Sequence, residues 1–202
     1  VHFADNHNDF QILAAQTLPY SPAWKSKLEN AFFGSTTEVD VLDKEYGVFL
    51  AEQITDFINT HSLPPIDLIA SHGHTVFHQP DRGITRQIGS GEEIAKHTGI
   101  QVVYDFRIQD VVLGGQGAPL VPIGDVILFN AFDACLNLGG FANLSFDMQN
   151  NRIAYDIGAC NLILNHFAQK LGHEYDDQGF LAQKGTCDES LLNELNDIDY
   201  YE

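Results

Sequence analysis

Basic residues are scarce in this chain. Ten Lys and Arg stand against 28 Asp and Glu over 202 residues, a formal net charge of −18. So acidic a chain is repelled by a phosphate backbone and by an anionic membrane face, so neither nucleic acid nor a membrane is an expected partner. Cysteine is nearly missing too. Cys135, Cys160 and Cys187 are odd in number, and no pair has the spacing of a metal ligand set or a redox couple. A reduced, cytoplasmic compartment is the simplest reading. The chain lacks a long apolar run and opens at Val1 without a basic leader, so neither a transmembrane helix nor a signal peptide is expected. What is there excludes a disordered acidic chain: 44% of residues are hydrophobic and 11% aromatic.

The patterning mixes helices and strands, an α/β class. Val1 to Phe10 reads as the tail of a strand and a turn. Pro22 opens a helix that stops near Gly34, and residues 35–40 read as a connector. From Glu38 to His61 the apolar residues Leu42, Tyr46, Phe49, Leu50, Ile54, Phe57 and Ile58 mark one helix face. Leu68–Ala70 is a short strand running into 71–75, and Thr85–Ile88 is another. Ser90 with Glu93 is a capping box for a helix through His97, ended by Gly99. Ile100–Tyr104 is a strand. Residues 105–122, rich in Gly and Pro, read as one irregular loop. Strands then follow at Cys135–Leu138, Phe141–Met148 and Ile153–Ile157, with a turn at Gln149–Arg152. Helices are expected at Ala159–Leu171 and Glu189–Leu195. A soft boundary near Asn130 divides a first domain, 1–130, from a second, 131–202.

Five runs carry chemistry. In residues 71–80, SHGHTVFHQP, His72, His74 and His78 admit three readings: a metal site, histidines hydrogen-bonded at a strand end, or polar contacts to a sugar. On an extended strand His72 and His74 share a face. Asp105, Arg107 and Asp110 precede the glycine-rich run 114–122, GGQGAPLVP. Arg107 fits an anionic or polyhydroxyl ligand, or else forms a structural pair with one of the neighbouring aspartates. The spacing fits neither a Walker loop nor a dinucleotide fingerprint. Residues 136–146, LNLGGFANLSF, put a glycine pair between two strands, either a plain turn or a phosphate-holding nest. In residues 155–161, YDIGACN, Asp156 ends a strand as a helix cap or as a general base. Asp176, Gly179, Ala182 and Gly185 form a looser small-residue run.

Taken in order, these runs and residues 87–110, QIGSGEEIAKHTGIQVVYDFRIQD, resemble the anhydro-N-acetylmuramic acid kinases, over most of the chain from about Asp67. The resemblance implies an actin-like, ribonuclease H-like ATPase fold, with two domains of mixed sheets flanked by helices and substrates between them. It implies ATP and Mg²⁺, the substrate 1,6-anhydro-N-acetylmuramic acid, a role in peptidoglycan recycling, and a homodimer. Carried over by matching motif, Asp156 is the catalytic base. His72, Gly73, His74, Asp105, Arg107, Gly115, Gln116, Gly117 and Asn161 line the sugar side. Asn137, Gly139 and Gly140 belong to the nucleotide phosphate loop, and no residue is a dedicated metal ligand. The chain departs from the family at His74, where Gln is usual, and at Gly158-Ala159-Cys160, where Gly-Pro-Gly is common. No segment matches the family's N-terminal Gly-Thr-Ser-Leu-Asp-Gly loop or its C-terminal adenosine-binding glycine run. The chain is therefore expected to be an incomplete portion of a family protein, with a non-catalytic sugar-binding relative as the alternative.

Overall fold

The computed structural model of the protein describes residues 1–3, 9–149 and 151–199. Its internal contacts divide the chain into two units, Val1–Leu128 and Phe129–Glu202, and both mix helices with strands.

In the first unit, two short strands pair antiparallel, β1 (His2–Phe3) and β2 (Phe10–Gln11). The turn expected between them, with Asn6, His7 and Asn8, lies outside the described residues. Helix α1 (Pro22–Asn30) starts at Ser21, whose hydroxyl accepts from the Trp24 amide, and a 3₁₀ turn carries it to Gly34. Helix α2 runs from Thr36 to Thr60, earlier than the expected connector allowed. A capping box explains the early start: Ser35 Oγ accepts from the Glu38 amide while the Glu38 carboxylate accepts from the Ser35 amide at 2.8 Å. One face of α2 buries Val39, Tyr46 and Ala51. Val39 and Tyr46 pack with Leu28, Ala31, Val76 and Ile88 into one core. Above it, Trp24 lies 4.7 Å from Phe49 between ring centroids, and the Tyr20 and Tyr46 hydroxyls meet at 2.6 Å. Burial pushes the Tyr46 phenol well above its ordinary range, and the Tyr20 bond adds to the shift.

Strand β3 (Leu68–Ser71) pairs parallel with β6 (Gln101–Tyr104). Parallel pairing needs a long crossover. Here the connection comprises β4 (His74–Gln79), its antiparallel partner β5 (Ile84–Ile88) and helix α3 (Gly91–Thr98). The pattern predicts a strand at Leu68–Ala70 running into 71–75. The structure ends that strand at Ser71 and makes His74–Gln79 a separate one, because Val76 is buried in the core and the ladder to β5 satisfies its backbone. Helix α3 is capped by Ser90 Oγ and ended by Gly99 at positive φ, but only the Ser90 half of the expected capping box forms. The Glu93 carboxylate reaches Lys96 and His97 instead.

The stretch 105–122 is corrected most. Helix α4 (Phe106–Val112) and helix α5 (Val121–Leu128) occupy its two ends, leaving 113–120 irregular. Val111 is buried, and that anchor outweighs the glycines that follow.

The second unit begins with an antiparallel meander, β7 (Ala134–Leu138), β8 (Phe141–Met148) and β9 (Asn151–Ala159). Asn150, in the expected turn, is outside the described residues. Helix α6 (Asn161–Lys170) follows, and α7 (Glu189–Asn196) is capped by the Asp188 carboxylate. Between them, the Asp176 carboxylate accepts from the Leu181 and Ala182 amides and closes a loop of 3₁₀ turns. Strand β9 outruns its expected end. Asp156 therefore lies inside the strand, and Cys160 holds the N-cap position of α6 that the capping reading gave to Asp156. Among the described residues no helix is long and apolar enough to cross a membrane.

Helices α2 and α3 meet at Gly47, where an added Cβ would come within 2.7 Å of the Ser90 carbonyl oxygen. Backbone cannot swing aside as a side chain can. Gly47→Ala should therefore lower stability by about 1–3 kcal/mol. Gly124→Ala, in α5 with nothing within 4 Å of the new Cβ, should be neutral or stabilising by up to about 1 kcal/mol. Urea midpoints of the two variants check the contrast; equal shifts would remove the close approach as the cause.

Candidate active site

At the end of β3 the chain turns through Gly73 at φ +68°, and an added Cβ there would strike the Ile88 carbonyl oxygen. The left-handed turn separates the neighbouring histidines, which an extended strand would have put on one face. His72 stays with β5 and α4. His74 is half-buried near α1, where the Leu28 carbonyl accepts from it. Burial holds the His74 imidazole below its ordinary value; the Leu28 bond opposes that shift and the nearby His72 adds to it.

The His72 ring contacts Gln87 at 3.2 Å and Arg107 at 3.1 Å through Nε2. Arg107 also donates from Nη1 to the Gly117 carbonyl at 2.8 Å. One helical turn along α4, the Asp110 carboxylate accepts from the Gly117 amide at 2.6 Å. Both polar groups of one glycine are thus held by two side chains spaced three apart on a single helix, where such side chains are neighbours. Gly115 packs on the same carboxylate, and a Cβ there would collide with it. The glycine loop is fixed by α4 and is not a free strap.

Asp105, between β6 and α4, has left-handed backbone angles (φ 58°, ψ 48°), uncommon for a residue with a side chain. It does not pair with Arg107. It lines a recess of about 70 Å³ with Asp43, His72, Gly73, Arg86 and Gln87. Burial raises its carboxyl above the ordinary value; Arg86 opposes the shift and Asp43 adds to it. Arg86 is itself tied to Asp40 at 2.8 Å and Asp43 at 3.3 Å on α2. Whole small ligands need about 300–1,000 Å³, so this recess takes one group of a ligand. A groove of about 890 Å³ lies elsewhere, between α1 and α2, lined by Ala31, Phe33, Val39 and Leu42 among others, and it contains none of the expected site residues.

In the second unit the strand register aligns three polar residues. Asn137 on β7 faces Asn143 on β8, and Asn143 faces Asp156 on β9. Directly opposed residues of antiparallel strands project to one face, so the three form a rung across the sheet. The register shifts next to it, pairing Ala142 with Gly158 and leaving Ile157 as the extra residue. Such bulges re-aim neighbouring side chains. The Gly139–Gly140 turn sits against the start of α6. Its carbonyls accept from the amides of Cys160, Asn161 and Leu162, and Asn161 Nδ2 donates to the Leu138 carbonyl at 2.9 Å. Among the described residues no three His, Cys, Asp or Glu side chains gather as a metal site.

A family model described as anhydro-N-acetylmuramic acid kinase matches residues 1–202. Among curated proteins of that name, the one from Pseudoalteromonas translucida is 33% identical over 95% of this chain and 53% of its own length. The one from Aliivibrio fischeri is 35% identical over 97% of this chain and 57% of its own length. That from Methylorubrum extorquens reaches 42% over 72% of this chain and 41% of its own length. The chain belongs to the anhydro-N-acetylmuramic acid kinase family. It spans about half the length of the curated relatives it matches.

Within this kinase family member, the residues singled out by motif fall into two clusters, one in each unit. His72, Gly73, Asp105, Arg107 and Gly115 to Gly117 gather around β3, β5 and α4. Asn137, Gly139, Gly140, Asp156 and Asn161 gather around the meander and α6. His74 stands apart, on the α1 side of Gly73. Five further residues belong to these clusters: Asp43, Arg86, Gln87 and Asn143, which the motif reading does not single out, and Asp110, which it names without a role. A polar residue at a buried strand position was the available signal for Gln87, which is 9% exposed. Asn143 shows only once strand register is known.

The Asp105 environment gives a signed test. A carboxyl raised by folding weakens the fold where it is charged, and that cost disappears as pH falls below the unfolded value of about 3.9. Asparagine tolerates the left-handed conformation as well. Asp105→Asn should therefore raise the urea midpoint at pH 7, with the gain closing as pH falls toward about 4. A destabilised variant at pH 7 would show the charge to be favourable where it sits.

Proposed function

We propose that the full-length protein uses ATP to phosphorylate 1,6-anhydro-N-acetylmuramic acid, in cytoplasmic recycling of peptidoglycan. The observation that carries this reading is the family match along the whole chain. In the same reading residues 1–130 and 131–202 are partial halves of an actin-like fold, with the sugar held by the first cluster and the nucleotide phosphates by the Asn137 and Gly139–Gly140 turn.

Asp156 is the base. It takes a proton from a water molecule whose oxygen attacks C1 of the anhydro bridge. The bond from C1 to the bridging oxygen breaks and leaves its electron pair on O6. O6 bonds to the γ-phosphorus of ATP as the bond to the ADP oxygen breaks, giving N-acetylmuramic acid 6-phosphate and ADP. Two features support Asp156 in this role: its place on the polar rung and the register shift beside it. A positioned base contributes about 10²–10⁴-fold to such steps. Mg²⁺ held by substrate phosphates and one or two carboxylates needs no all-protein cage, which fits the donor set of these residues; bound there, it neutralises charge on the transferring phosphoryl group.

The test is ADP release by the full-length protein with MgATP, with and without the anhydro sugar. Sugar-dependent release is expected, falling at least about 100-fold in Asp156→Asn. Release without dependence on the sugar would overturn the substrate, and undiminished turnover by the variant would remove Asp156 from the base role.

A further inference from the structure

The His72 ring makes contacts that only one placement of its protons satisfies. Its Nδ1 lies 3.1 Å from the Gly73 carbonyl oxygen. A carbonyl only accepts, so Nδ1 carries the hydrogen. Its Nε2 lies 3.1 Å from Arg107 Nη2 and 3.2 Å from Gln87 Nε2. A guanidinium nitrogen and an amide nitrogen only donate, so His72 Nε2 is bare and its one lone pair is shared between the two donors. The Gln87 amide orientation has support from a second contact, because the same nitrogen lies 3.2 Å from the His72 carbonyl oxygen, with Gln87 Oε1 left buried and without a partner. An amide oxygen in that place would face another acceptor. A second proton on the imidazole would set an N–H against the Arg107 cation and against the Gln87 amide hydrogens.

The consequence falls on Arg107. Its guanidinium is anchored at Nη2 by His72 and at Nη1 by the Gly117 carbonyl, while its Nε is buried with no partner. Those two anchors therefore set the plane of the group. Of the two, the Gly117 carbonyl belongs to the loop that Asp110 also holds, and His72 is the only side chain of the pair.

We propose that His72 is a positioning residue and not a direct sugar contact. Its bare Nε2, steadied by Gln87, orients the Arg107 guanidinium, and Arg107 makes the contact to an oxyanion or hydroxyl of the sugar. The sugar part of this proposal rests on the function proposed above; the proton placement does not. A substituted residue at 72 needs only an acceptor where Nε2 lies. His72→Gln offers an amide oxygen there, and His72→Leu offers none.

The experiment takes the full-length protein and measures two things. The first is the tautomer of His72, read from the imidazole nitrogen shifts by NMR with no ligand present. A protonated Nδ1 and a bare Nε2 are expected, with the Nε2 signal moving in Arg107→Met; a protonated Nε2 overturns the proposal. The second is calorimetric binding of 1,6-anhydro-N-acetylmuramic acid and of ATP. His72→Leu should weaken the sugar about tenfold and His72→Gln by less than about threefold, with ATP affinity unchanged in both. Adding His72→Leu to Arg107→Met should cost little more than Arg107→Met alone. Equal losses in the Gln and Leu variants, or additive losses in the double variant, overturn the proposal. If the unaltered protein binds ATP but no sugar, the functional reading and the sugar contact of Arg107 fall together, and the tautomer still decides whether His72 orients Arg107.

Discussion

The close backbone contact between Gly73 and Ile88 is the constraint on which the first cluster hangs. A glycine in the left-handed region lets the end of β3 turn sharply against the end of β5 with no Cβ between them. That approach brings His72 alongside Gln87, and with the parallel partner strand β6 it brings α4 and Arg107 within reach. Arg107 and Asp110 then hold Gly117, so the glycine loop takes its position from α4. Each contact is an ordinary hydrogen bond, worth about 0.5–1.5 kcal/mol net, or somewhat more with a charged partner. Their value is mutual: each sets the geometry the next one needs.

Charge in this cluster is arranged at some cost to stability. Asp105 has strained backbone angles and a carboxyl that burial disfavours. Arg86, the cation that offsets this, is shared with Asp40 and Asp43. Asp43 serves the backbone as well, since it accepts from the Gly89 amide at 2.7 Å. Strained backbone and perturbed carboxylates tend to gather at functional sites, and here they gather where the family's motifs also converge. The recess is small because it is a meeting point of strand ends and not a cleft.

The second cluster is organised by sheet register instead. Asn137, Asn143 and Asp156 come from three strands and share a rung, and the bulge at Ile157 sits beside them. The glycine turn is locked to α6 through its carbonyls and through Asn161. This makes Asn161 a support of the turn, a structural task beside the sugar contact that resemblance implied. The polar rung and the glycine turn share β7, with one residue, Leu138, between Asn137 and Gly139.

Much of the helix and strand pattern was legible in the sequence, because local signals carry it. Pro22, the apolar stripe of α2, Ser90 and Gly99 act within a few residues of themselves. The ordered motifs also named the family, since order and spacing survive without coordinates. Where non-local contacts decided, the sequence misled. The α4 helix looked like loop because glycines follow it, and only the burial of Val111 against the fold settles it as helix. The cap reading of Asp156 assumes a strand that stops near Ile157; the ladder to β8 carries β9 to Ala159 and gives the N-cap position to Cys160. The expected shared face of His72 and His74 depended on an extended backbone that Gly73 does not adopt. Residue identity and local propensity are thus properties of the sequence alone. The partners of Arg107, the tautomer of His72 and the rung through Asp156 come from segments distant in the chain, and only tertiary structure brings those atoms to hydrogen-bonding distance or onto a common sheet face.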